Sequence, residues 1–488
     1  MAAIRASVPA RSILLPAGAA LAATAAAAGL ATRSGATVVV VVLAASAVFL
    51  AFVRPGVLLC AAVFGIVASA DLLDLLVSVP RLSIAGVELQ VSDLLLATIV
   101  LAWLGWELRR GGVPGPPLAE LAREPAFVAF VPLLGLAAYD LERGGYGTLS
   151  SSRIFLYCIL VPVAARVLET PRELRLLGGT VVAAAVVSSV GAVAMVAAGR
   201  NVTNSGLSTG GVRGLSIGGS FLVAGALLYV LASEVGGARR PWPVAPALVL
   251  VLAGGVAASG SRETWMGVLG ALAIYALISS LRGIVRLALV LGLACLLALG
   301  AYSIVPQPPR LSATLSAIEH RLASVDPGAA ARDPSVQVRY DKWRVVWDQL
   351  KAHPLLGTGF GYPATYTSNI GGDNFVRSYV DDPENTQLWL WARMGTLGFL
   401  FWVAFNLLAL GTLLVRFLRS RSAAARTAAL WGAGILLVVW SGMMFSPVSA
   451  FASTLQLYWL AIALVPVTAR LASAALLPGE DTSPGGRG

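Results

Sequence analysis

Residues 386–415 read TQLWLWARMGTLGFLFWVAFNLLALGTLLV and contain a single charged side chain, Arg393. This apolar run is longer than the roughly 20 residues that an α-helix needs to cross the hydrocarbon core of a bilayer. Similar runs recur along almost the whole chain, which is 57% hydrophobic, 12% charged and has a mean hydropathy of +0.81. The sequence therefore predicts an all-α polytopic membrane protein.

The apolar runs mark about fourteen candidate transmembrane helices, and twelve or thirteen would also agree with the shorter runs. They lie at about 12–31, 36–53, 56–77, 92–108, 124–142, 153–169, 175–199, 215–235, 244–260, 263–281, 285–306, 386–415, 426–446 and 449–470. The first run resembles a signal peptide, and we expect it to be retained as a helix. The predicted domains are membrane helices in 1–306, a loop in 307–384, membrane helices in 385–470 and a disordered cytoplasmic tail in 471–488.

The basic residues of the loops predict the orientation of the chain, because arginine and lysine accumulate on the cytoplasmic side of membrane proteins. With the N-terminus inside, the cytoplasmic loops and the termini hold nineteen of them, and the short outer loops hold seven. We therefore expect both termini in the cytoplasm, the loop 307–384 on the outer side, and a location in a bacterial inner (cytoplasmic) membrane. The position of these residues in short loops explains the net charge of +11 as an orientation signal, so membrane lipids but no nucleic acid are expected as partners.

The loop contains a predicted amphipathic helix that begins at Asp333 and Pro334, a pair typical of a helix start. Apolar side chains then repeat at helical spacing, namely Val336, Tyr340, Trp343, Trp347 and Leu350. Such a helix lies on the bilayer surface or covers a cavity. Ordinary packing within the loop is the alternative, and the sequence leaves both open.

After this helix comes PLLGTGFGY at 354–362, with three glycines. The motif lacks the Lys-Ser/Thr pair of a phosphate-binding nucleotide loop. We expect it to form a tight turn that leads the loop back to the membrane. The three cysteines lie in apolar segments and the chain has two histidines, so neither a metal site nor a disulfide framework is expected, and no cofactor.

Two arginines on the predicted outer side are candidate ligand-binding groups. Arg213 lies in STGGVRGLSIGGS, and Arg262 lies in ASGSRETWMG between two apolar runs. Each has a simpler explanation, since arginine at the end of a span extends to the membrane interface. Taken together they predict a pyrophosphate site, because guanidinium groups bind phosphate oxygens through forked hydrogen bonds without a metal.

Three motifs together resemble the O-antigen ligase and O-antigen polymerase family. They are RYDKW from Arg339, HPLLGTGFGY, and the pair Glu384-Asn385, followed after nine residues by a Gly-x-x-Gly turn at Gly395. The resemblance extends from about Arg213 to Arg416. The ligase branch has a histidine where this chain has Glu384, whereas polymerase-like members more often carry an acidic residue before the asparagine. The resemblance therefore favours a polymerase.

The resemblance implies a metal-independent glycosyltransferase acting at the outer face of the membrane, with inversion at the anomeric carbon. The donor would be a glycan on a polyprenyl pyrophosphate, and the acceptor a glycan or glycolipid. Glu384 would be the general base, with its pKa raised by desolvation at the membrane boundary. Arg213 and Arg262 would stabilise the charge of the leaving pyrophosphate.

Asn385, Arg339 and Arg393 complete the expected site as substrate-binding residues. Arg393 has three possible environments: extension to the interface, a pair with Glu384 or a donor phosphate, or stacking on Trp389.

Two other functions fit part of the sequence. A lipid-linked glycan transporter or flippase would also have many spans and cavity arginines, but the chain lacks an evident internal repeat of the kind that many transporters show. A non-enzymatic scaffold of an envelope assembly complex is the third possibility.

Overall fold

The computed structural model describes residues 82–84, 87–89, isolated positions between 93 and 107, and residues 121–144, 153–197, 214–237, 244–304, 334–360, 362, 364–370, 373–379, 384–446 and 452–474. The predicted spans at 12–31, 36–53 and 56–77 lie outside the described residues, as does the C-terminal tail. The total of twelve to fourteen helices therefore stays a prediction.

Helices dominate the described residues, which confirms the predicted all-α polytopic membrane fold. Their bounds are α1 Pro125–Gly144, α2 Arg153–Leu156, α3 Leu160–Val167, α4 Pro171–Ala197, α5 Ile217–Gly236, α6 Val244–Ala258, α7 Arg262–Ile278, α8 Leu281–Ile304, α9 Pro334–Ala352, α10 Thr386–Arg419, α11 Ala423–Phe445 and α12 Ala452–Ala474. Five of these, α4, α5, α10, α11 and α12, are long and apolar enough to cross a membrane. The protein is accordingly a multi-pass membrane protein.

The predicted span at 153–169 is not one continuous helix. A 3₁₀ turn, Tyr157–Ile159, separates α2 from α3. Pro162 follows in the first turn of α3, and proline removes a backbone donor while its ring crowds the carbonyl four residues earlier. The break therefore falls just ahead of the proline, where a tighter turn is the ordinary solution.

Helix α11 lies at the centre of the bundle and packs against α5, α7, α10 and α12. Trp431 of α11 is fully buried, and its Nε1 donates to the carbonyl of Gly225 in α5 at 2.9 Å. Tyr275 of α7 is equally buried and donates its hydroxyl to the carbonyl of Leu430 at 2.7 Å. Polar tips of large aromatic side chains thus find partners inside the bundle, as burial without water requires.

Two antiparallel hairpins were not predicted. Strand β1 Leu82–Ile84 pairs with β2 Val87–Leu89, and β3 Ala364–Ile370 pairs with β4 Asp373–Tyr379. In the second, Ile370 faces Asp373 across the two-residue connection Gly371-Gly372 of the sequence. A Gly-Gly pair between runs rich in Thr, Tyr, Val and Phe is a hairpin signal. The loop is therefore more than a single amphipathic helix.

Helix α10 connects the two ends of the bundle, because its 34 residues correspond to about 50 Å of helix. At its start, Thr386 donates to the carbonyl of Ser446, the residue after α11, at 3.1 Å. Near its end, Arg416 donates through Nη2 to both oxygens of Glu124, at 2.8 and 2.7 Å, just before α1. The start of α10 and the Arg416 cluster are therefore at opposite ends.

Candidate active site at the start of helix α10

Glu384 occupies a strained backbone position immediately before α10. Its φ is 64°, in the left-handed region that residues with a side chain seldom adopt. Asn385 caps the helix, and its Oδ1 accepts from the backbone N–H of Leu388 at 2.9 Å. The left-handed conformation costs about 1–2 kcal/mol, and strain of this kind is concentrated at functional sites.

The carboxylate of Glu384 forms two ion pairs with helix α9. Its Oε2 accepts from Nε of Arg339 at 2.8 Å, and its Oε1 accepts from Nζ of Lys342 at 2.7 Å. Arg339 and Lys342 are three residues apart, so both point to the same side of α9. The side chains of Glu384 and Arg339 keep 32% and 30% of their surface exposed, which leaves the cluster open to a dissolved ligand.

Three effects set the pKa of Glu384. Desolvation by burial is the largest and raises it, but the attraction of Arg339 and Lys342 and their hydrogen bonds together outweigh it, so the pKa is lowered. The expectation that the membrane boundary raises this pKa is therefore wrong. The cause is two cations 45 and 42 residues upstream, which α9 places against Glu384. In this state the group is held as a carboxylate.

Arg262 lies at the same end of the bundle as Glu384. It is the half-buried first residue of α7. The next residue, Glu263, is buried, and its Oε1 accepts from the hydroxyl of Ser446 at 2.7 Å. Ser446 in turn accepts from Thr386 through its carbonyl. Two hydrogen bonds thus tie the start of α7 to the start of α10.

Helices α5, α7 and α10 all begin at this end. The hydroxyl of Ser216 caps α5 by accepting from the N–H of Gly219 at 3.0 Å. One turn on, Ser220 and Thr264 share a hydrogen bond of 2.9 Å that joins the first turns of α5 and α7. Helix N-termini carry a partial positive charge and favour bound anions. Together with Arg262, Arg339 and Lys342, they make this end suited to a negatively charged ligand.

Arg213 lies outside the described residues. Its neighbour Gly214 donates its N–H to the carbonyl of Ala258 at 2.9 Å, four residues before Arg262. A Cβ at position 214 would lie 2.5 Å from the carbonyl oxygen of Ala192, so this close approach requires glycine. The chain at 214 is thereby fixed beside the turn that carries Arg262.

Arg393 is almost completely buried, with 1% of its surface exposed, which excludes extension to the interface, one of its three expected environments. Its Nη1 donates to Oγ1 of Thr358 in the glycine-rich turn at 2.9 Å. It also lies next to the C-terminal end of the first part of α10, which stops at Gly395, and a cation there is favoured by the helix dipole. One of its contacts is therefore with the turn of the loop.

The glycine-rich segment forms a tight turn, as predicted, and this turn docks into a break in α10. The helical geometry is interrupted at Gly395, where φ is 64° and ψ is −176°. The turn supplies replacement backbone bonds: Thr358 N–H to Ala392 O at 2.9 Å, Gly359 N–H to Arg393 O at 2.9 Å, and Thr396 N–H to Pro354 O at 2.8 Å. Backbone groups freed by the break are thus satisfied.

Helix α9 begins at Pro334, as predicted, but the predicted apolar stripe is only partly correct. Val346 and Leu350 are buried against Ala392 of α10, whereas Tyr340 and Trp347 are 55% and 43% exposed. The inward face therefore runs through Arg339, Lys342, Val346 and Leu350. Helix α9 also lies beside β3, so it packs within the loop, which was the alternative expectation, and in addition against α10, which was not expected.

Three polar residues of the site were missed by the sequence interpretation: Lys342, Glu263 and Ser446. Lys342 follows Arg339 by three residues, so the helical prediction already placed the two on one face. Glu263 adjoins Arg262, and a charged residue at the start of an apolar span is itself a signal. Ser446 carries no comparable mark in the sequence.

Residues 247–403 match the family model described as O-antigen ligase, which confirms the predicted resemblance. The match covers about a third of the chain and is narrower than the predicted extent from Arg213 to Arg416. It includes every candidate site residue except Arg213: Arg262, Arg339, Glu384, Asn385 and Arg393. A search of curated proteins found no match.

Proposed function

We propose that this protein transfers a glycan from a polyprenyl-pyrophosphate donor to a sugar acceptor on the outer face of the membrane, because residues 247–403 match the O-antigen ligase family model. The observation that carries the proposal is the pairing of Glu384 with Arg339 and Lys342 at the start of α10, inside the matched segment. It places a carboxylate next to cations in a solvent-accessible site, and such a transfer needs both a group that accepts a proton and groups that stabilise the leaving pyrophosphate.

The cations serve the donor. Arg262, Arg339 and Lys342, with the N-termini of α5, α7 and α10, bind the pyrophosphate and stabilise the charge that it gains on leaving. Arg213 joins them, a role supported by the position of Gly214 beside the turn that carries Arg262. Arginine and lysine provide this stabilisation without a metal.

Glu384 serves the acceptor as general base. The acceptor hydroxyl gives its proton to the carboxylate while its oxygen attacks the anomeric carbon, and the bond from that carbon to the pyrophosphate breaks with its electron pair on the leaving group. A single in-line displacement inverts the anomeric configuration. Asn385 positions Glu384 by capping α10, and Arg393 positions the turn behind it.

The acidic pair Glu384-Asn385, where the ligase branch has a histidine, favours a polymerase that extends a lipid-linked chain. Transfer to a glycolipid anchor, the ligase reaction, is the second form of the same chemistry. The family match gives no support to a transporter.

The proposed setting is a bacterial inner membrane, with both termini and the tail 471–488 in the cytoplasm, the membrane helices in 1–306 and 385–470, and the loop 307–384 outside. The count of loop arginines supports this orientation. The separation of Glu384 from Arg416, at opposite ends of α10, is in keeping with it.

Purified protein in proteoliposomes with extracted lipid-linked glycans tests the proposal, with products identified by mass spectrometry. A ladder of longer chains still attached to polyprenyl pyrophosphate would demonstrate a polymerase. Glycan on a new anchor, with free polyprenyl pyrophosphate, would demonstrate a ligase. Unchanged glycans with a folded, donor-bound protein would contradict glycosyl transfer.

A further inference from the structure

Lys342 is absent from the site predicted by sequence, yet it makes one of the two ion pairs of Glu384. We propose that Lys342 and Arg339 bind Glu384 in the resting state and bind the donor pyrophosphate instead when the donor arrives. Donor binding in this way releases Glu384 to act on the acceptor. This rests on the proposed function and adds an order to it: the donor binds first, and the base becomes available afterwards.

The resting contacts limit Glu384 as a base. Each of its oxygens accepts a charge-assisted hydrogen bond from a different cation, at 2.8 and 2.7 Å. Bonds of this type stabilise the charged carboxylate. A proton from an acceptor hydroxyl would have to enter an oxygen already held by a cation, which weakens the driving force for proton transfer.

The cluster is built so that a ligand can displace one of its partners. Glu384 and Arg339 are about one-third exposed and Lys342 retains 16% exposure, so a phosphate group reaches them without unfolding of the loop. Arg339 contacts Glu384 through Nε, one of five N–H donors of the guanidinium group. The other N–H groups of Arg339 can donate to phosphate oxygens while the residue keeps its position on α9.

Charge favours the exchange. A pyrophosphate diester carries two negative charges against the single charge of the carboxylate, and both arginine and lysine bind phosphate strongly. The described charged groups that act on Glu384 are Arg339 and Lys342, both from α9. Once these bind phosphate, desolvation remains as the main influence on Glu384, and desolvation makes a carboxylate a stronger base.

The exchange also places each group where the transfer step needs it. The acceptor O–H bond breaks and its proton goes to Glu384. The acceptor oxygen bonds to the anomeric carbon, and the bond to the pyrophosphate breaks with its electron pair. That pair leaves on a group already held by Arg339 and Lys342.

The protonation of Glu384 gives a test that does not depend on turnover. The full-length protein in nanodiscs is treated with a hydrophobic carbodiimide, which modifies protonated carboxyl groups, over a range of pH. Peptide mass spectrometry then gives the pH midpoint of labelling at Glu384 with and without inorganic pyrophosphate. We expect pyrophosphate to move the midpoint to higher pH. An unchanged or lower midpoint at a saturating pyrophosphate concentration would overturn the exchange.

Two lysine variants make the test specific. Lys342→Met is expected to have a raised midpoint before pyrophosphate is added, and a smaller further shift after it. Lys351→Met is the matched control, because Lys351 lies on the same helix and pairs only loosely with Asp348, at 3.3 Å with both side chains 63% exposed. It is expected to behave as the wild type. A wild-type midpoint in Lys342→Met, with an unchanged melting temperature, would remove Lys342 from the proposal.

The proteoliposome assay separates this proposal from the proposed function. Glycosyl transfer without any pyrophosphate-dependent shift at Glu384 would leave the function standing and reject the exchange. A shift without glycosyl transfer would show that the cluster responds to pyrophosphate and would reject the proposed reaction.

Discussion

Gly357 of the loop and Gly395 of α10 meet backbone to backbone, and both adopt left-handed conformations, with φ of 69° and 64°. A Cβ on Gly395 would lie 2.2 Å from the carbonyl oxygen of Leu355 and 2.5 Å from the nitrogen of Gly357. A Cβ on Gly357 would lie 2.3 Å from the carbonyl oxygen of Arg393. Two residues without side chains therefore allow the turn to dock into α10, about three helical turns from Glu384.

Gly395→Ala is expected to destabilise the protein by about 2 kcal/mol or more, since the alanine would adopt a disfavoured φ and also contact backbone that has little room to move. The measurement is the apparent free energy of unfolding in detergent, together with proteolysis of the loop. Gly411→Ala is the matched control, because it lies in the same helix and a Cβ there meets nothing within 4 Å. Equal effects of the two substitutions would contradict a specific docking contact at Gly395.

The bond from Arg393 to Thr358 is expected to secure the same docking. A double-mutant cycle with Arg393→Met and Thr358→Val should give a coupling energy of about 1–3 kcal/mol in unfolding, as for hydrogen bonds to charged groups. Donor binding by the same variants checks the predicted substrate role of Arg393. If Arg393→Met reduces donor binding and Thr358→Val does not, then Arg393 acts on the substrate directly.

Sequence could predict the five long apolar helices because length and hydropathy decide whether a helix can cross a bilayer. The span predicted at 215–235 is α5, Ile217–Gly236, and the helix predicted from Pro334 is α9. The rotation of α9 could not be predicted in the same way. Two stripes on it have the same helical spacing, one aromatic and one beginning with Arg339 and Lys342. The partner that selects the second stripe, Glu384, is 42 residues or more away.

The candidate site likewise could be predicted from the sequence only in part. Arg262 was named because a charged residue at the end of an apolar run is conspicuous, and Arg339 and Glu384 were named because they lie in the motifs that resemble the family. Their surroundings depend on contacts between elements distant in the chain, such as the bond between Glu263 and Ser446, 183 residues apart. The lowered pKa of Glu384 has the same origin. Composition and spacing identify the residue types, and the fold decides what each of them contacts.

The ion pair of Glu124 and Arg416 is expected to stabilise the opposite end of the bundle. Arg416 donates to both carboxylate oxygens and also to the carbonyl of Val465 and the hydroxyl of Thr468, so Glu124→Gln would leave a largely buried cation without its counter-charge. We expect a loss of about 3 kcal/mol in the apparent free energy of unfolding. Arg419→Gln, on an exposed side of the same helix, is the control and should change it by less than about 0.5 kcal/mol. If Glu124→Gln leaves the apparent free energy of unfolding unchanged, the ion pair is dispensable for stability.

The pH dependence of stability follows from the lowered pKa of Glu384. The unfolded chain then binds the proton more readily than the folded one, so the contribution of Glu384 is complete above the unfolded pKa of about 4.3 and is lost as the pH falls through the folded pKa. We expect the stability difference between the wild type and Glu384→Gln to be constant at neutral pH and to shrink below about pH 4. Melting temperatures of both proteins against pH measure it. A difference that grows on acidification would contradict the ion pairs.

Glu384→Gln is also the most direct test of the chemistry. The amide keeps the size of the side chain but does not accept the acceptor proton, so turnover is expected to fall by about 10²–10⁴-fold, the usual contribution of a general base. Donor binding is expected to persist, because Arg262, Arg339 and Lys342 remain. Initial rates and donor affinity in proteoliposomes separate the two effects, with Lys351→Met as an active control on α9. A variant that binds donor and still extends glycans at the wild-type rate would remove Glu384 as the base.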